Sequence, residues 1–99
     1  VPEGWCVLFE KNRSLNIGMA FPCNEVPYLG IWVNEGGWAG QYNVAPEPAT
    51  GGMDRVDFSK MWGMGSMLVP GEERSWHLII TVQEGQEARG MTETGEVIF

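Results

Sequence analysis

The sequence has little positive charge and only one histidine. Six Lys and Arg residues stand against thirteen Asp and Glu residues, which gives a formal net charge of −7. Such a chain lacks the electrostatic basis for binding nucleic-acid phosphates or an anionic membrane surface. No apolar run approaches the ~20 residues that a membrane-spanning helix needs, and no segment has the pattern of a signal peptide. We therefore expect neither nucleic acid nor a membrane as a partner.

Two apolar segments near the start of the sequence predict a β-hairpin. Trp5–Phe9 and Leu15–Met19 flank a polar stretch that is typical of a turn. A register that pairs Val7 with Ile17 collects every large apolar residue except Leu8 on one face. This register is the one that we expect in the folded chain.

Cysteine is also scarce, and the expected hairpin keeps the two cysteines apart. Cys6 lies opposite Gly18 in that register, on the face away from Met19, whereas Cys23 follows on the Met19 side. The geometry of a disulfide cannot bridge that separation, so we expect two free thiols. Free thiols favour a reducing compartment, and we expect a cytoplasmic location.

The remaining pattern predicts an all-β fold. The sequence contains 14 Gly and 6 Pro residues, and 43% of it is hydrophobic, which favours turns between strands around a packed core. We expect an antiparallel β-sandwich, with residues 1–99 forming a single domain and residues 82–96 forming a mobile tail. The predicted strands after the hairpin are Tyr28–Val33, Trp38–Val44, Trp76–Val82 and Val97–Phe99.

Two further segments have predicted local structures. Asp54–Trp62 is the one plausible helix, with Asp54 as its cap. Ala45–Gly52 contains two prolines and two glycines, which favours a turn over a regular strand.

Glu47 is the first candidate for chemistry, because it lies between Pro46 and Pro48. Proline restricts both its own backbone and that of the preceding residue, so this carboxylate is held on a stiffened chain. A general base needs such fixed geometry. The alternative interpretation is an ordinary solvated loop glutamate.

Other residues that could carry chemistry have weaker patterns. His77, the single histidine, has no ligand or nucleophile spacing around it, so we expect a packing or surface residue and no metal site. Trp32, Trp38 and Trp62 could stack on the apolar face of a sugar, or could belong to the core.

Two longer stretches resemble a known family. They are PYLGIWVNEGGW at 27–38 and NVAPEPATGGMD at 43–54, and the likeness extends to the Leu68–Glu72 turn and over about residues 5–82. They resemble the C-terminal part of aldose 1-epimerase (galactose mutarotase)-like proteins. The resemblance implies part of a large antiparallel β-supersandwich and a sugar as ligand, without a cofactor.

The resemblance also implies roles for individual residues. Glu47 matches the base that takes the proton from the anomeric hydroxyl, while a histidine of the family protonates the ring oxygen. Family members are considerably longer, and their histidine lies upstream of the matching segment, so His77 does not match it. The substrate-binding candidates in the matching stretch are Trp32, Asn34, Trp38 and Asp54.

These expectations combine into two functional hypotheses. The first is a mutarotase-like domain with an incomplete site, in which Glu47 is a vestigial or shared base and the chain alone has little activity. The second is a non-catalytic module that binds carbohydrate or associates with itself. A part of a supersandwich leaves sheet edges uncovered, so we also expect a homo-oligomer.

Overall fold

A computed structural model describes residues 3–99, which contain seven strands and one helix. The elements are β1 (Glu3–Glu10), β2 (Leu15–Pro22), β3 (Tyr28–Glu35), β4 (Tyr42–Ala49), α1 (Val56–Met61), β5 (Ile79–Glu84), β6 (Gly90–Met91) and β7 (Val97–Ile98). Every strand pair is antiparallel. The predicted antiparallel β fold with one short helix is therefore confirmed, whereas the mutarotase-like sandwich stays a prediction. No helix within the described range is long and apolar enough to cross a membrane.

The contacts of the chain group into two compact units. The first unit combines the described residues through Glu25 with Arg74–Phe99, and the second unit is Val26–Glu73. The first contains a three-stranded sheet in the order β1-β2-β5 and the small β6-β7 pair, and the second contains the β3-β4 pair and α1. The single domain expected from the sequence stays a prediction.

The register of the first hairpin differs by one residue from the predicted one. Val7 lies opposite Gly18 and Leu8 opposite Ile17. The reason is the turn, because Glu10 pairs with Leu15 and leaves four residues to close the loop. Ser14 closes that turn with a positive φ of 51°, a conformation that the hydrophobic pattern does not reveal.

In this register the smaller residues of β2 lie opposite the large apolar residues Trp5, Val7 and Phe9 of β1. Asn16, Gly18 and Ala20 alternate along one face of the central strand, and all three are buried. A Cβ atom added at Gly18 would lie only 2.3 Å from the sulfur of Met91, which is itself buried. The C-terminal segment therefore packs directly on the backbone of β2.

Asn16 ties the same C-terminal segment to the sheet. Its side chain is fully buried, and its amide nitrogen donates to the carbonyls of Gln83 (3.4 Å) and Gln86 (3.0 Å). Its oxygen accepts a hydrogen bond from the backbone N–H of Ala88 at 3.0 Å. These contacts hold part of the segment against β2, and the mobility expected over 82–96 stays a prediction.

Both cysteines are free, as the sequence predicts. Cys6 lies opposite Met19 in the observed register and is partly buried. Burial raises the pKa of the Cys6 thiol, and a hydrogen bond with the backbone of Met19 offsets this only in part. The reactive thiolate is therefore depleted at neutral pH.

The turn predicted over Ala45–Gly52 is wrong for its first half, because β4 continues through both prolines to Ala49. Pro46 lies opposite Ile31 and Pro48 opposite Leu29, in an unbroken register. The Gly36 N–H donates to the Gln41 carbonyl at 3.0 Å, and hydrogen-bonded pairs alternate along the hairpin from there, so both proline nitrogens face the outer edge of the sheet. A strand at an edge tolerates proline there because no ladder hydrogen bond is lost.

The helix occurs where it is predicted but begins differently. Arg55, and not Asp54, is the N-cap residue, and no side-chain cap bond is present. Arg55 instead forms an ion pair with Asp57, and the Ser59 hydroxyl donates to the carbonyl of Gly52. The helix is thus fastened to the chain that follows β4.

The two late strands are shorter than predicted. β5 begins at Ile79 and omits Trp76–Leu78, and the last strand is Val97–Ile98. Ladder pairing to β2 extends only as far as Ala20 and Ile79. The alternating pattern therefore identifies these strands but not their first residues.

Candidate functional site

The candidate site lies on one face of the β3-β4 pair. Side chains alternate between the two faces of a strand, and residues directly opposite in an antiparallel pair share a face. Glu47 is opposite Gly30, and Trp32 is opposite Ala45, so all four residues lie on the same face. Tyr28 is on this face as well. The register of the β3-β4 hairpin therefore places Glu47, the predicted base, and Trp32, a predicted ligand residue, on one face.

Glycine at position 30 leaves room for the Glu47 side chain. A Cβ atom built on Gly30 would lie 3.6 Å from Glu47 Oε2 and 3.8 Å from Glu47 Cβ. The carboxylate thus extends across the neighbouring strand rather than straight outward. Among the described residues, the Glu47 carboxylate forms neither a hydrogen bond nor an ion pair with another side chain or backbone group, so its oxygens are free to accept hydrogen bonds from a ligand.

A small cleft surrounds this carboxylate. Its volume is about 160 Å³. It is lined by Tyr28, Leu29, Gly30, Glu47, Ala49, Gly51, Gly52, Met53 and Met64. Most of this lining is apolar or glycine backbone, with one acidic group, which is a typical composition for a site that orients a small ligand by few polar contacts.

The two prolines fix the backbone that carries Glu47. Because Pro46 and Pro48 face the outer edge, the N–H of Glu47 between them faces β3, where Gly30 is the partner. Proline holds its own φ near −65°. The stiffening expected from the sequence is therefore retained in a strand instead of a turn.

Aromatic side chains flank Gly30 along β3. Tyr28 and Trp32 are each two residues away on the same face, which corresponds to about 7 Å along the strand. Trp32 is 42% exposed. An exposed indole next to an unpaired carboxylate can contact the apolar face of a sugar while the carboxylate accepts its hydroxyl groups.

Two other predicted ligand residues lie at the far end of the hairpin. The Asn34 side chain is buried, donates to the Trp38 carbonyl at 3.1 Å and accepts from the Trp38 N–H at 3.2 Å. The Asn34 amide therefore stabilises the loop between β3 and β4. Trp38 is 69% exposed in that loop. The loop lies beyond Asn43, which is about 13 Å along β4 from Glu47.

Asp54 lies at the opposite end, after β4, and is exposed. Its neighbour Met53 lines the cleft with a positive φ of 69°, but Asp54 itself does not. The sequence did not predict that Tyr28, Met53 and Met64 line the cleft. The alternation of Tyr28, Gly30 and Trp32 along one strand indicates that Tyr28 shares the face of Trp32. No sequence pattern indicates a role for Met53 or Met64.

A second, larger cleft lies in the same unit. Its volume is about 590 Å³, and it shares Gly51 with the first cleft. Its polar lining includes Thr50, Ser59 and Lys60. Trp62, the third tryptophan considered for sugar stacking, is 68% exposed just after α1 and does not line either cleft.

His77 is exposed and belongs to the first unit. Residues 26–73, which form the second unit, contain no histidine. Over the described range, no group of three or more His, Cys, Asp or Glu residues could hold a metal ion. The chemistry that the Glu47 site offers is therefore that of a single carboxylate with aromatic neighbours.

Comparison with known proteins does not identify the chain. No protein family, no curated protein and no solved structure matches it.

Proposed function

We propose that this chain is a mutarotase-like domain that binds an aldose or a related sugar at the Glu47 face, with an incomplete catalytic site. The observation that carries the proposal is the unpaired Glu47 carboxylate beside Gly30, with Tyr28 and Trp32 on the same face. The resemblance of residues 27–54 to galactose mutarotase-like proteins gives the same glutamate the role of the base. Two free thiols favour a reducing compartment, so the proposal includes a cytoplasmic location.

The role of Glu47 in this proposal follows from its surroundings. A carboxylate accepts hydrogen bonds from sugar hydroxyls, and charge-assisted bonds of this type are stronger than neutral ones. The same carboxylate acts as a base for the anomeric hydroxyl when that hydroxyl lies within hydrogen-bond distance of it. Gly30 leaves the space in which that hydroxyl would sit.

Ring opening also needs a proton donor at the ring oxygen. The second unit supplies no histidine, and His77 is not the family's upstream acid. One positioned group in general acid–base catalysis typically contributes about 10²–10⁴-fold to the rate. The chain alone is therefore expected to bind sugar weakly and to catalyse mutarotation poorly.

Polarimetry tests this expectation with D-galactose and D-glucose as substrates. We expect the purified chain to give little acceleration of mutarotation, and Glu47→Gln to remove any residual rate because it keeps the side-chain shape but loses the base. Glu35→Gln is the matched control, since Glu35 is an exposed glutamate of the same hairpin. It should leave the residual rate unchanged.

Two results would contradict the proposal. Turnover at ordinary enzymatic rates would show that the chain supplies its own acid and that the site is complete. A residual rate equally insensitive to both substitutions would show that Glu47 has no catalytic part.

The alternative function is a non-catalytic carbohydrate-binding or self-association module. The Asn34 amide is hydrogen-bonded to the Trp38 backbone, and Trp38 itself lies far from Glu47. Few groups near the carboxylate are therefore free to contact a ligand, which favours this alternative over an enzyme. Sugar binding without any residual rate would be the outcome that this alternative predicts.

A further inference from the structure

The backbone of β3 has one unpaired edge. Pro46 and Pro48 have no N–H and lie opposite Ile31 and Leu29, so the hydrogen-bonded positions between β3 and β4 are the alternate ones. Leu29, Ile31 and Val33 consequently direct their N–H and C=O groups away from β4. Among the described residues, no other group forms a hydrogen bond with these three backbones.

The side chains along this edge are apolar and exposed. Ile31 is 66% exposed and Val33 54%. Over the eight residues of β3 the only charge is on Glu35, at the last position, and no proline interrupts the strand. Proteins normally protect long edges with charges, prolines or bulges, and a long apolar edge without them pairs readily with another strand.

The other edge of the same sheet is closed to such pairing. Pro46 and Pro48 occupy the outward-facing positions of β4, where N–H donors would be needed to accept another strand. A further strand can therefore pair with this two-stranded sheet only along the β3 edge.

We infer that two copies of the chain associate through their β3 edges, antiparallel and about a two-fold axis at Ile31, to form a four-stranded sheet in the order β4-β3-β3-β4. The occupant of the edge is a second copy because the strand is complementary to itself. Leu29 of one copy faces Val33 of the other, which continues one apolar face across the axis. Glu35 lies beyond the other copy's Tyr28, so no like charges are opposed.

Glycine at position 30 adds to this complementarity. The two-fold axis places Trp32 of each copy directly opposite Gly30 of the other. An aromatic side chain across from a strand glycine covers the exposed backbone and stabilises the pair. This inference goes beyond the proposed sugar site. The partner's Trp32 would share the Gly30 face with Glu47, so Ile31, whose side chain lies on the opposite face, is the position to test.

Charge placed at the axis tests the pairing directly. In Ile31→Lys the two lysines face each other, and we expect the dimer dissociation constant to rise at least about tenfold in sedimentation experiments. Ile31→Glu should have the same effect by the same repulsion. An equimolar mixture of the two variants should form a heterodimer, because opposite charges then meet at the axis. The side chain of Ile31 is mainly exposed, so the variants should retain the circular dichroism of the parent chain.

Val44→Lys is the matched control. Val44 is an exposed valine of β4 on the same face as Ile31, but it is not on the β3 edge. It should leave the dimer intact. A monomeric parent chain at micromolar concentration, a dimer that persists in Ile31→Lys, failure of the mixture to associate, or equal disruption by Val44→Lys would each overturn the inference. The last result would indicate packing through the sheet face instead.

Discussion

Replacing Asn16 by alanine is expected to lower the free energy of unfolding by about 2–4 kcal/mol. The side chain is fully buried and makes three hydrogen bonds to the backbone of residues 83, 86 and 88. Its loss leaves three partly buried backbone groups without these partners, and each group that stays unsatisfied costs about 1–3 kcal/mol. Chemical denaturation followed by tryptophan fluorescence measures the change.

Asn24→Ala is the control for this substitution. Asn24 is an exposed asparagine in the same unit, and its removal should change the free energy of unfolding by no more than about 0.5 kcal/mol. If Asn16→Ala were as mild as this control, the C-terminal segment would not be fastened to β2 through Asn16.

Gly95→Ala is expected to be almost as destabilising, by about 2–4 kcal/mol. Gly95 has a φ of +85°, which strains any other residue. An added Cβ atom would also lie 2.5 Å from Ile79 Cγ2. The Gly95 carbonyl meanwhile accepts a hydrogen bond from the Thr81 hydroxyl at 2.7 Å, so the turn cannot move away from β5 without losing that bond.

Gly71→Ala separates the two causes. Gly71 has nearly the same φ, +82°, but nothing lies within 4 Å of an added Cβ atom. Only the backbone strain should remain, at about 1–2 kcal/mol. Thermal or chemical unfolding of both variants measures the difference, and equal losses would show that Gly95 does not pack against Ile79.

The sequence predicted strands well where apolar residues alternate, but not their pairing. The segments around Trp5–Phe9 and Leu15–Met19 are strands, yet the register is shifted by one residue. The predicted register placed nearly all large apolar residues of the hairpin on one face. In the structure Gly18 admits the distant Met91 against the strand, and Asn16 binds the backbone of the equally distant Gln86. Contacts this far apart in sequence leave no local signal.

Proline produced the second error. The pair Pro46 and Pro48 is typical of an irregular loop, and the sequence alone does not reveal that both nitrogens face an outer edge. Because β4 is an edge strand and both proline nitrogens face outward, the strand tolerates Pro46 and Pro48 without losing a ladder hydrogen bond. The stiffened backbone predicted around Glu47 is nevertheless retained in the strand, because the restriction on φ is local.

The site was predicted only in part, for the same reason. Glu47 and Trp32 share a face because Trp32 pairs with Ala45, two residues before Glu47, and side chains alternate between the two faces of a strand. The sequence alone predicted neither this pairing nor the extension of β4 through Glu47. Asn34, Trp38 and Asp54 were grouped with them by a resemblance along the sequence. Strand geometry separates Trp38 from Glu47, and hydrogen bonds within the loop occupy Asn34.

The most direct test of the Glu47 site is a titration of the isotope-labelled chain with D-galactose, followed by NMR of backbone amides and indole N–H groups. We predict concentration-dependent shifts centred on Gly30, the Trp32 indole and Gly51–Gly52, which surround the carboxylate. Glu47→Gln should reduce the affinity by about tenfold or more, because a hydrogen bond to a charged group is worth about 1.5–3 kcal/mol. Shifts confined to the larger cleft near Lys60, or no shifts at all, would contradict the account.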